Sequence, residues 1–398
     1  MPPPANAIVA QSGGPTAVIN QSLVGVVDGL RSNPKIGKIL GGRHGVRGIT
    51  AEQFVDLSSI PPETLNTVAN TPSAALGSSR DKPDRPYCER VLAALKKNDV
   101  RYFFYIGGND SSDTCRIVSE MARESGYGLH AYHCPKTVDN DLMMNDHTPG
   151  YASAARYVAK AFLGDSLDNR SLPGIKINVI MGRHAGFLTA AAALARHRDD
   201  DGPQLIYLPE VVFDIERFVA DVDRVYSKLG RCQIALSEGV QNDKGEAIAA
   251  TLIAGEKDAH GNVQLSGSGA LGDMLAEFIK KKLTPAGGKA PRVRADTLGY
   301  PQRCYPDASP IDQKEARESA RTAAEAALKG DHLDGSIAIQ RASSSPYQAK
   351  YVRVELKDVA AKTRHMPPEF IKGTSDVTPA FTDWLRPLVG EMPKIAWL

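Results

Sequence analysis

Short apolar runs alternate with longer amphipathic stretches along the first third of the chain. The apolar runs at residues 7–10 and 102–106 are each followed by a helical pattern, at 16–31 and 111–124. Alternation of this kind predicts strand–helix units that build a mostly parallel sheet. The amino-terminal part is therefore expected to be an α/β domain.

The same alternation begins again after a turn at residues 148–150. Because turn residues of this kind separate structural units, a second α/β unit is expected to follow. Its strands and helices are predicted at 175–181, 186–196, 204–208, 215–229 and 232–236. A length of 398 residues also favours two domains over one.

The carboxyl-terminal part has its own pattern. A long helix is predicted at 311–329, a strand at 351–356 and a helix near 378–388. We therefore expect a folded appendage at this end of the chain.

Composition narrows the classes of partner and compartment. The chain has 48 basic and 46 acidic residues, so no strongly basic surface for nucleic acid is indicated. Its five cysteines are odd in number and scattered, which argues against disulfides and structural zinc and fits a reducing cytoplasm. Neither a leader pattern nor an apolar window of about 20 residues is present, so a soluble protein without a membrane span is expected.

An acidic run at residues 135–141, Pro-Lys-Thr-Val-Asp-Asn-Asp, follows a strand pattern at 128–134. Ligands of open α/β sheets collect beyond the carboxyl ends of strands. Asp139 and Asp141 are two residues apart, so in an extended segment their side chains project to one side, as a base and its support would. With Lys136 beside them, the run suggests a site that handles phosphates.

Two other predicted strands end in glycine turns. Residues 12–16, Ser-Gly-Gly-Pro-Thr, could turn backbone N–H groups toward an anion or form a simple tight turn. Residues 107–110, Gly-Gly-Asn-Asp, could likewise be only a turn with a helix cap. Asp110 stands out, because a carboxylate repels a polyphosphate by about 4 kcal/mol per unit-charge pair at 4 Å with an effective dielectric near 20.

Cationic residues also mark strand ends in the second unit. Arg183 follows the strand at 175–181, and Gly182 beside it would let the chain approach a ligand closely. Arg294 and Arg303 mark a later strand and turn. One such arginine is compatible with an ordinary surface, whereas several at strand ends indicate anion binding.

A different pattern points to another class of protein. Residues 267–272 match Gly-x-Gly-x-x-Gly and precede a helical pattern at 273–283, which allows a dinucleotide-dependent dehydrogenase. No acidic strand end is placed to bind a ribose, so a surface turn entering a helix is the competing interpretation. No Gly-x-x-x-x-Gly-Lys-Ser/Thr run occurs, which argues against a P-loop nucleotidase.

Seven motifs taken together resemble the phosphofructokinase family, and their order and spacing match across roughly 290 residues. They stand at residues 12–14, 77–80, 107–110, 135–141, 181–183, 237–239 and 299–303. Lys136, Asp110 and Tyr300 look like the pyrophosphate-using branch, since ATP-using members typically have glycine, glycine and histidine at these places.

The resemblance implies Mg²⁺-dependent, reversible phosphoryl transfer from pyrophosphate to the 1-hydroxyl of fructose 6-phosphate, giving fructose 1,6-bisphosphate and phosphate. It implies two Rossmann-like three-layer α/β domains with mostly parallel sheets facing across a cleft. Residues 1–150 with 302–330 would bind pyrophosphate, 151–301 would bind fructose 6-phosphate, and 331–398 would be a carboxyl-terminal extension packed on the core. A cytoplasmic homodimer or homotetramer is expected.

The resemblance also implies roles for single residues. Asp139 would accept the hydroxyl proton, while Lys136 and Arg80 would neutralise charge on the transferred group. Gly13 would present backbone donors to pyrophosphate with Gly14 beside it, and Asp110 would occupy the space of a nucleotide α-phosphate. The residues expected to bind the sugar phosphate are Thr137, Val138, Asp139, Asp141, Met181, Gly182, Arg183, Glu238, Arg294, Tyr300 and Arg303.

Two residues depart from the family pattern. Asn109 stands where an aspartate usually helps to hold Mg²⁺, so the metal would be bound through water or chiefly by pyrophosphate. Gly174 stands where an arginine usually reaches the substrate of a neighbouring subunit. Asn109 makes a catalytically silent, sugar-phosphate-sensing subunit conceivable, and an ATP-dependent sugar-phosphate kinase on the same scaffold is a further alternative.

Overall fold

The structure, a computed structural model, describes residues 3–253 and 269–396. Its first elements are β1 (Ala5–Gln11), α1 (Ile19–Leu30), β2 (Ile36–Gly42), α2 (Val46–Thr50), β3 (Phe54–Asp56), α3 (Pro62–Ala69), α4 (Arg85–Lys97), β4 (Val100–Gly107), α5 (Asn109–Glu124) and β5 (His130–Pro135). The middle of the chain forms α6 (Tyr151–Ser171), β6 (Ile175–Ile180), α7 (Phe187–Ala190), β7 (Leu205–Tyr207), α8 (Ile215–Leu229), β8 (Cys232–Ser237), α9 (Ile248–Ile253), α10 (Ala270–Leu283), β9 (Val293–Thr297) and α11 (Pro301–Cys304). The last part forms α12 (Pro310–Lys329), β10 (Asp334–Ser344), β11 (Tyr347–Val354), α13 (Leu356–Val359), β12 (Ile371–Lys372), β13 (Asp376–Val377) and α14 (Pro379–Val389).

The described residues form two compact units. The first contains residues 3–154 and 303–364, and the second contains 155–253, 269–302 and 365–396. Each unit is an α/β structure built on a mostly parallel sheet, which confirms the predicted fold class. Across the described stretches, no helix has both the length and the apolar character needed to cross a membrane.

The sheet of the first unit has seven strands in the order β11-β10-β5-β4-β1-β2-β3. β1, β2, β4, β5 and β10 run parallel, and the edge strands β3 and β11 run antiparallel to their neighbours. Buried apolar side chains of α1 and α12 pack on one face of the sheet, and those of α4 and α5 pack on the other. This unit is therefore a three-layer sandwich.

Helices α1 and α12 pack at very short range although they are far apart in sequence. A Cβ atom added to Gly25 of α1 would lie 2.1 Å from the backbone oxygen of Arg317 in α12. Any side chain at position 25 would force the two helices apart. This contact fixes α12, and with it the start of the returning segment at residue 303, in the first unit.

The second unit has a parallel sheet in the order β7-β8-β6-β9 around its own apolar core. The bounds of α8 agree with the predicted helix at 215–229. Asp214 caps its first turn by accepting the N–H of Arg217, and Gly230 ends it with a φ of 67°. Local signals of this kind set helix ends reliably.

Residues 331–398, predicted as one carboxyl-terminal extension, are divided between the units. β10 adds to the edge of β5 by parallel pairing at residues 334–336, and β11 pairs with β10, so both strands extend the first sheet. Residues from 365 onward lie in the second unit. There the backbone N–H of Ile206 in β7 donates to the carbonyl of Ser375, 2.9 Å away.

Candidate functional site

The glycine turns and the acidic run of the first unit lie side by side at one edge of its sheet. β1 and β4 are in register at Gln11 and Ile106, and β4 and β5 are in register at Gly107 and Pro135. The residues that follow these strands therefore start from neighbouring positions. The backbone N–H of Lys136 donates to the carbonyl of Gly107, 2.9 Å away, which joins the last two strand ends.

Gly107 allows the first two strand ends to pack closely. A Cβ atom there would lie 2.0 Å from the hydroxyl oxygen of Ser111 and 2.3 Å from that of Ser12. These two hydroxyls hydrogen-bond to each other, and Ser12 also donates to the carbonyl of Ile106. The turn after β1 is thereby fixed against the start of α5.

Gly13 and Gly14 leave room for two cations. Gly13 has a φ of 73°, and its N–H already donates to the carbonyl of Ser79, 2.8 Å away. This N–H is therefore engaged within the protein, and the presentation of backbone donors to pyrophosphate stays a prediction. Cβ atoms added to the two glycines would lie 3.1 Å from the Nζ of Lys136 and 3.0 Å from the guanidinium carbon of Arg303.

Lys136 is a buried cation with 3% of its surface exposed. Its Nζ donates to the carbonyl of Gly14 at 2.7 Å. Burial, together with the positive charges of Arg303 and Arg80, lowers the pKa of Lys136 to about 8, although Asp139 and Asp141 oppose this shift. The site thus concentrates positive charge where an anion would relieve it.

The acidic run differs from its predicted extended form. Asn140 adopts a left-handed φ of 59°, so the chain is not extended between Asp139 and Asp141. The N–H of Asp139 donates to the hydroxyl oxygen of Thr137 at 3.1 Å, and Val138 is buried. A local turn, and not strand alternation, therefore sets the directions of the two carboxylates.

Asn109 and Asp141 form a pair at the base of this turn. Nδ2 of Asn109 donates to Asp141 at 3.0 Å, while its Oδ1 is buried and has no hydrogen-bond partner among the described residues. Burial raises the pKa of Asp141, although hydrogen bonds from Thr137 and Asn109 oppose this shift. The unpaired amide oxygen is an acceptor that a ligand or metal could use.

The oxygen atoms around Asn109 fit Mg²⁺ in one particular mode. The described residues contain no group of three or more His, Cys, Asp or Glu side chains suited to hold a metal. Mg²⁺, however, commonly uses one or two carboxylates and takes its other ligands from water and substrate phosphates. Oδ1 of Asn109 with the neighbouring carboxylate of Asp141 matches that donor set.

Asp110 and Arg80 lie on the exposed side of the first-unit site. Asp110 pairs with Lys82, whose Nζ is 3.2 Å from the carboxylate, and both side chains are exposed. Between Arg80 and Lys82, Asp81 is anchored by Arg47 at 2.6 Å, and this partner holds the pKa of Asp81 at about 2. Sequence reasoning missed Lys82, although its spacing of two from Arg80 was a usable signal.

The second unit gathers another set of predicted residues beyond β6 and β8. The Ser237 hydroxyl donates to the carbonyl of Gly182 at 2.7 Å, and a Cβ on Gly239 would lie 2.1 Å from the carbonyl oxygen of Arg183. This close packing brings the guanidinium of Arg183 to 3.6 Å from the carboxylate of Glu238. Arg183 itself is exposed.

β9 carries Arg294 near its amino-terminal end, whereas Tyr300 follows its carboxyl end. Arg294 lies on β9, is exposed, and is in register with Lys176 of β6. Tyr300 follows β9 and is 51% exposed. Gln302, which the sequence reasoning did not single out, is buried and joins this turn to β6, accepting the N–H of Met181 and donating to the carbonyl of Gly299.

Arg303, the Gly-x-Gly-x-x-Gly pattern and Gly174 are the remaining predicted positions. Arg303 lies in the first unit beside Gly14, so it is placed with Lys136 and assigned to a different unit from Arg294 and Tyr300. Residues 267 and 268 of the Gly-x-Gly-x-x-Gly pattern lie outside the described residues. A Cβ on Gly174 would lie 2.9 Å from the backbone oxygen of Arg292, just before β9, so a side chain there would require this backbone to shift.

Several known proteins are similar to this chain over nearly its whole length. A protein of Rhodospirillum rubrum named pyrophosphate–fructose 6-phosphate 1-phosphotransferase is 54% identical over 96% of this chain and 94% of its own length. A protein of the same name from Halomonas elongata is 38% identical over 99% and 96%. The crystal structure of a pyrophosphate-dependent phosphofructokinase from Nitrosospira multiformis superposes with a TM-score of 0.85 at 34% identity, covering 99% of this chain and 94% of that one. Residues 6–327 match the family Phosphofructokinase, and the chain therefore belongs to the phosphofructokinase family.

Proposed function

We propose that this protein reversibly transfers a phosphoryl group from pyrophosphate to the 1-hydroxyl of fructose 6-phosphate, releasing phosphate and fructose 1,6-bisphosphate. One observation carries the proposal: the buried ammonium of Lys136 lies beside Gly14 and in electrostatic contact with Asp139 and Asp141. A cation next to carboxylates at strand ends suits a reaction that moves a charged group onto a hydroxyl. The identity to the Rhodospirillum rubrum protein supports pyrophosphate as the donor.

We assign pyrophosphate to the first unit and the sugar phosphate mainly to the second. Lys136, Arg303 and Arg80 would neutralise the donor, since fixed cations stabilise charge that develops on a transferred phosphoryl group. Gly13 and Gly14 would contribute by leaving space for the first two of these side chains. Asp110, on the exposed side, would limit the size of the donor.

Asp139 is the proposed base. It would accept the proton of the 1-hydroxyl as the oxygen attacks, with Thr137 and Asp141 orienting the reacting groups and Val138 completing the contact surface. Most of the rate gain in such a reaction comes from orientation and charge neutralisation, so a turn through Asn140 that sets the directions of the carboxylates is an advantage.

Mg²⁺ is the proposed cofactor. Asn109 and Asp141 would hold it together with the diphosphate and water. When bound, Mg²⁺ supplies positive charge between diphosphate oxygens and carboxylates that otherwise repel one another. In this scheme Asn109 uses its amide nitrogen to hold Asp141 and keeps its amide oxygen for the metal.

In the second unit, Met181, Gly182, Arg183 and Glu238 would bind the sugar. Arg294 and Tyr300 would bind its 6-phosphate, for which an arginine fork is well suited. We further propose that Arg303, given its place beside Gly14, serves the reacting end of the substrates. A cytoplasmic homodimer or homotetramer is part of the proposal, and light scattering of the purified protein tests its oligomeric state.

The central experiment is a donor screen. Purified protein with fructose 6-phosphate and Mg²⁺ should form fructose 1,6-bisphosphate with pyrophosphate and hardly with ATP. Equal turnover with ATP would favour the ATP-dependent kinase, and no turnover with either donor would favour the silent sensing subunit. Failure to bind NAD in a titration would remove the dehydrogenase alternative.

Replacing Asp110 with glycine is expected to relax donor choice. Without this carboxylate, a nucleotide no longer meets a negative charge, so kcat/KM with ATP should rise at least about tenfold relative to that with pyrophosphate. Initial rates with both donors test this. Asp113→Gly is the matched control, because Asp113 lies on the same helix and pairs with Arg116. A donor ratio that stays unchanged in Asp110→Gly would contradict the assigned role.

The pKa of Lys136 predicts how kcat/KM for pyrophosphate depends on pH. Because its pKa in the unliganded protein is about 8, the ammonium is lost as pH rises through 8. We expect kcat/KM for pyrophosphate, corrected for ionisation of pyrophosphate itself, to fall by about tenfold per pH unit above that value. The decline in kcat should begin at higher pH, since bound diphosphate favours the charged lysine.

Lys136→Arg provides the control for this pH profile. Arginine keeps its charge throughout the accessible pH range, so the decline above pH 8 should disappear even if the absolute activity is lower. The same decline in wild type and Lys136→Arg would assign the titration to another group.

A further inference from the structure

The turn that carries Arg183 is hydrogen-bonded to the carboxylate of Glu210, a residue outside the proposed substrate contacts. Glu210, which follows β7, uses Oε1 to accept the backbone N–H of Gly186 at 2.9 Å and that of Met366 at 3.0 Å. Beside it, Nδ1 of His365 donates to the carbonyl of His184 at 2.8 Å. Residues 365–366 are thereby fastened to the turn at 182–186, with Glu210 between them.

The second oxygen of Glu210 makes this arrangement unusual. Oε2 is buried and has no hydrogen-bond partner among the described residues. A Cβ atom on Gly186 would lie only 2.6 Å from it, so glycine at 186 is part of the fit. A buried carboxylate oxygen without a hydrogen-bond partner is unfavourable for folding. The favourable contribution of Glu210 therefore comes from its other oxygen, which accepts two backbone N–H groups.

That role follows from how the turn is built. Gly182 has a φ of 118°, and a Cβ there would lie 2.7 Å from the carbonyl oxygen of Ala185, so the turn is tight. Its first half is held by Ser237, whose hydroxyl donates to the Gly182 carbonyl. Its second half is held by Glu210 through Gly186. The backbone on both sides of Arg183 is therefore fixed by side chains that lie outside the turn.

We propose that Glu210 is a positioning residue for the sugar phosphate. It acts through the backbone of residues 184–186 and sets the direction of the exposed Arg183, whose guanidinium approaches Glu238. The inference rests on the proposed function, because it assigns Arg183 to the sugar. It predicts an effect on the acceptor substrate and none on the donor.

Glu210→Ala tests this role by removing both hydrogen bonds. KM for fructose 6-phosphate should rise about tenfold, equal to ~1.4 kcal/mol of binding free energy. KM for pyrophosphate should stay within about twofold of its wild-type value. Glu210→Gln keeps an oxygen that accepts both N–H groups, so it should restore KM for fructose 6-phosphate to near the wild-type value. His365→Ala removes an exposed side chain and should raise KM for fructose 6-phosphate by a smaller factor, about threefold. This variant provides a second test if Glu210→Ala does not fold.

Asp201 offers a matched control in the same unit. One of its oxygens also accepts two backbone N–H groups, those of His197 and Arg198, but in a loop without proposed substrate contacts. Asp201→Ala should lower thermal stability and leave KM for fructose 6-phosphate unchanged. The inference is overturned if Glu210→Ala and His365→Ala leave that KM unchanged, if both substrates lose affinity equally, or if Asp201→Ala gives the same rise.

The experiment separates this inference from the proposed function. Wild-type protein without pyrophosphate-dependent turnover would overturn the proposed function alone. Calorimetric titration of the same variants with fructose 6-phosphate would then decide the role of Glu210. A loss of affinity in Glu210→Ala that Glu210→Gln restores supports it, and equal affinities overturn it.

Discussion

Asp139→Asn is expected to lower kcat by about 10²- to 10⁴-fold, the range that a positioned general base supplies. Asparagine has nearly the same shape but cannot take up the proton of the attacking hydroxyl. The N–H of residue 139 still donates to Thr137, so the turn should keep its geometry. Steady-state rates with pyrophosphate and fructose 6-phosphate at saturating Mg²⁺ measure the loss.

Two measurements separate a lost base from a lost fold. The unfolding midpoint of Asp139→Asn should lie within a few degrees of wild type, and its KM for fructose 6-phosphate should change far less than its kcat. Asp141→Asn serves as the neighbouring variant, since Asp141 is proposed to orient and to hold the metal. An Asp139→Asn protein that keeps a tenth or more of the wild-type kcat would rule out Asp139 as the base.

The elements that sequence predicted well are those with local signals at both ends. The helix at 215–229 has an aspartate cap before it and a glycine after it, and its bounds are those of α8. The strand at 102–106 lies within β4 and ends at the same glycine turn. Short-range periodicity and capping chemistry are enough to define such elements.

What sequence did not reveal depends on contacts between distant parts of the chain. The pairing of β10 with β5 joins residues about 200 positions apart, so no local pattern could place residues 334–354 in the first sheet. The position of Arg303 beside Gly14 and the engagement of the Gly13 N–H by Ser79 are also long-range contacts. The sequence alone therefore could not show which groups surround the glycine turn.

The acidic run illustrates the same limit at short range. Its residues suggested a phosphate site, but their directions depend on the left-handed conformation of Asn140. Asparagine adopts this conformation more readily than most residues, so sequence permits the turn without requiring it. The pairing of Asn109 with Asp141, across 32 positions, similarly needed the folded chain.

His147→Leu is expected to lower the free energy of unfolding by about 3–5 kcal/mol, the usual cost of breaking a buried ion pair. His147 is 1% exposed and hydrogen-bonds to Asp146 at 2.8 Å and to Glu315 on α12. Tyr347 also donates to Glu315, and Arg341 pairs with Asp146. Leucine would leave the buried carboxylate of Glu315 without a cation, while the half-buried Asp146 would keep only Arg341.

The pH dependence of this effect has a definite sign. Burial opposes the charged imidazole, but hydrogen bonds and charges of Asp146 and Glu315 prevail and raise the pKa of His147 from 6.5 to about 9. A folded-state pKa above the unfolded value stabilises the fold fully below pH 6.5, and this contribution is lost as pH rises through 9. The stability difference between wild type and His147→Leu should therefore be largest near pH 6 and shrink by pH 9.5.

Urea unfolding of both proteins at these two pH values measures that difference, and taking the difference cancels groups such as Lys136 that titrate in both. A double variant, His147→Leu with Glu315→Leu, should recover much of the lost stability, because removing both partners leaves fewer unpaired buried charges.

The loop that carries Asp139 and Asp141 runs directly into His147, and Arg364 joins it by donating to the carbonyls of Asp141 and Asp146. We therefore expect kcat to fall together with stability in His147→Leu and to recover together with it in the double variant. A stability difference that is equal at both pH values would show that His147 is not charged in the folded protein.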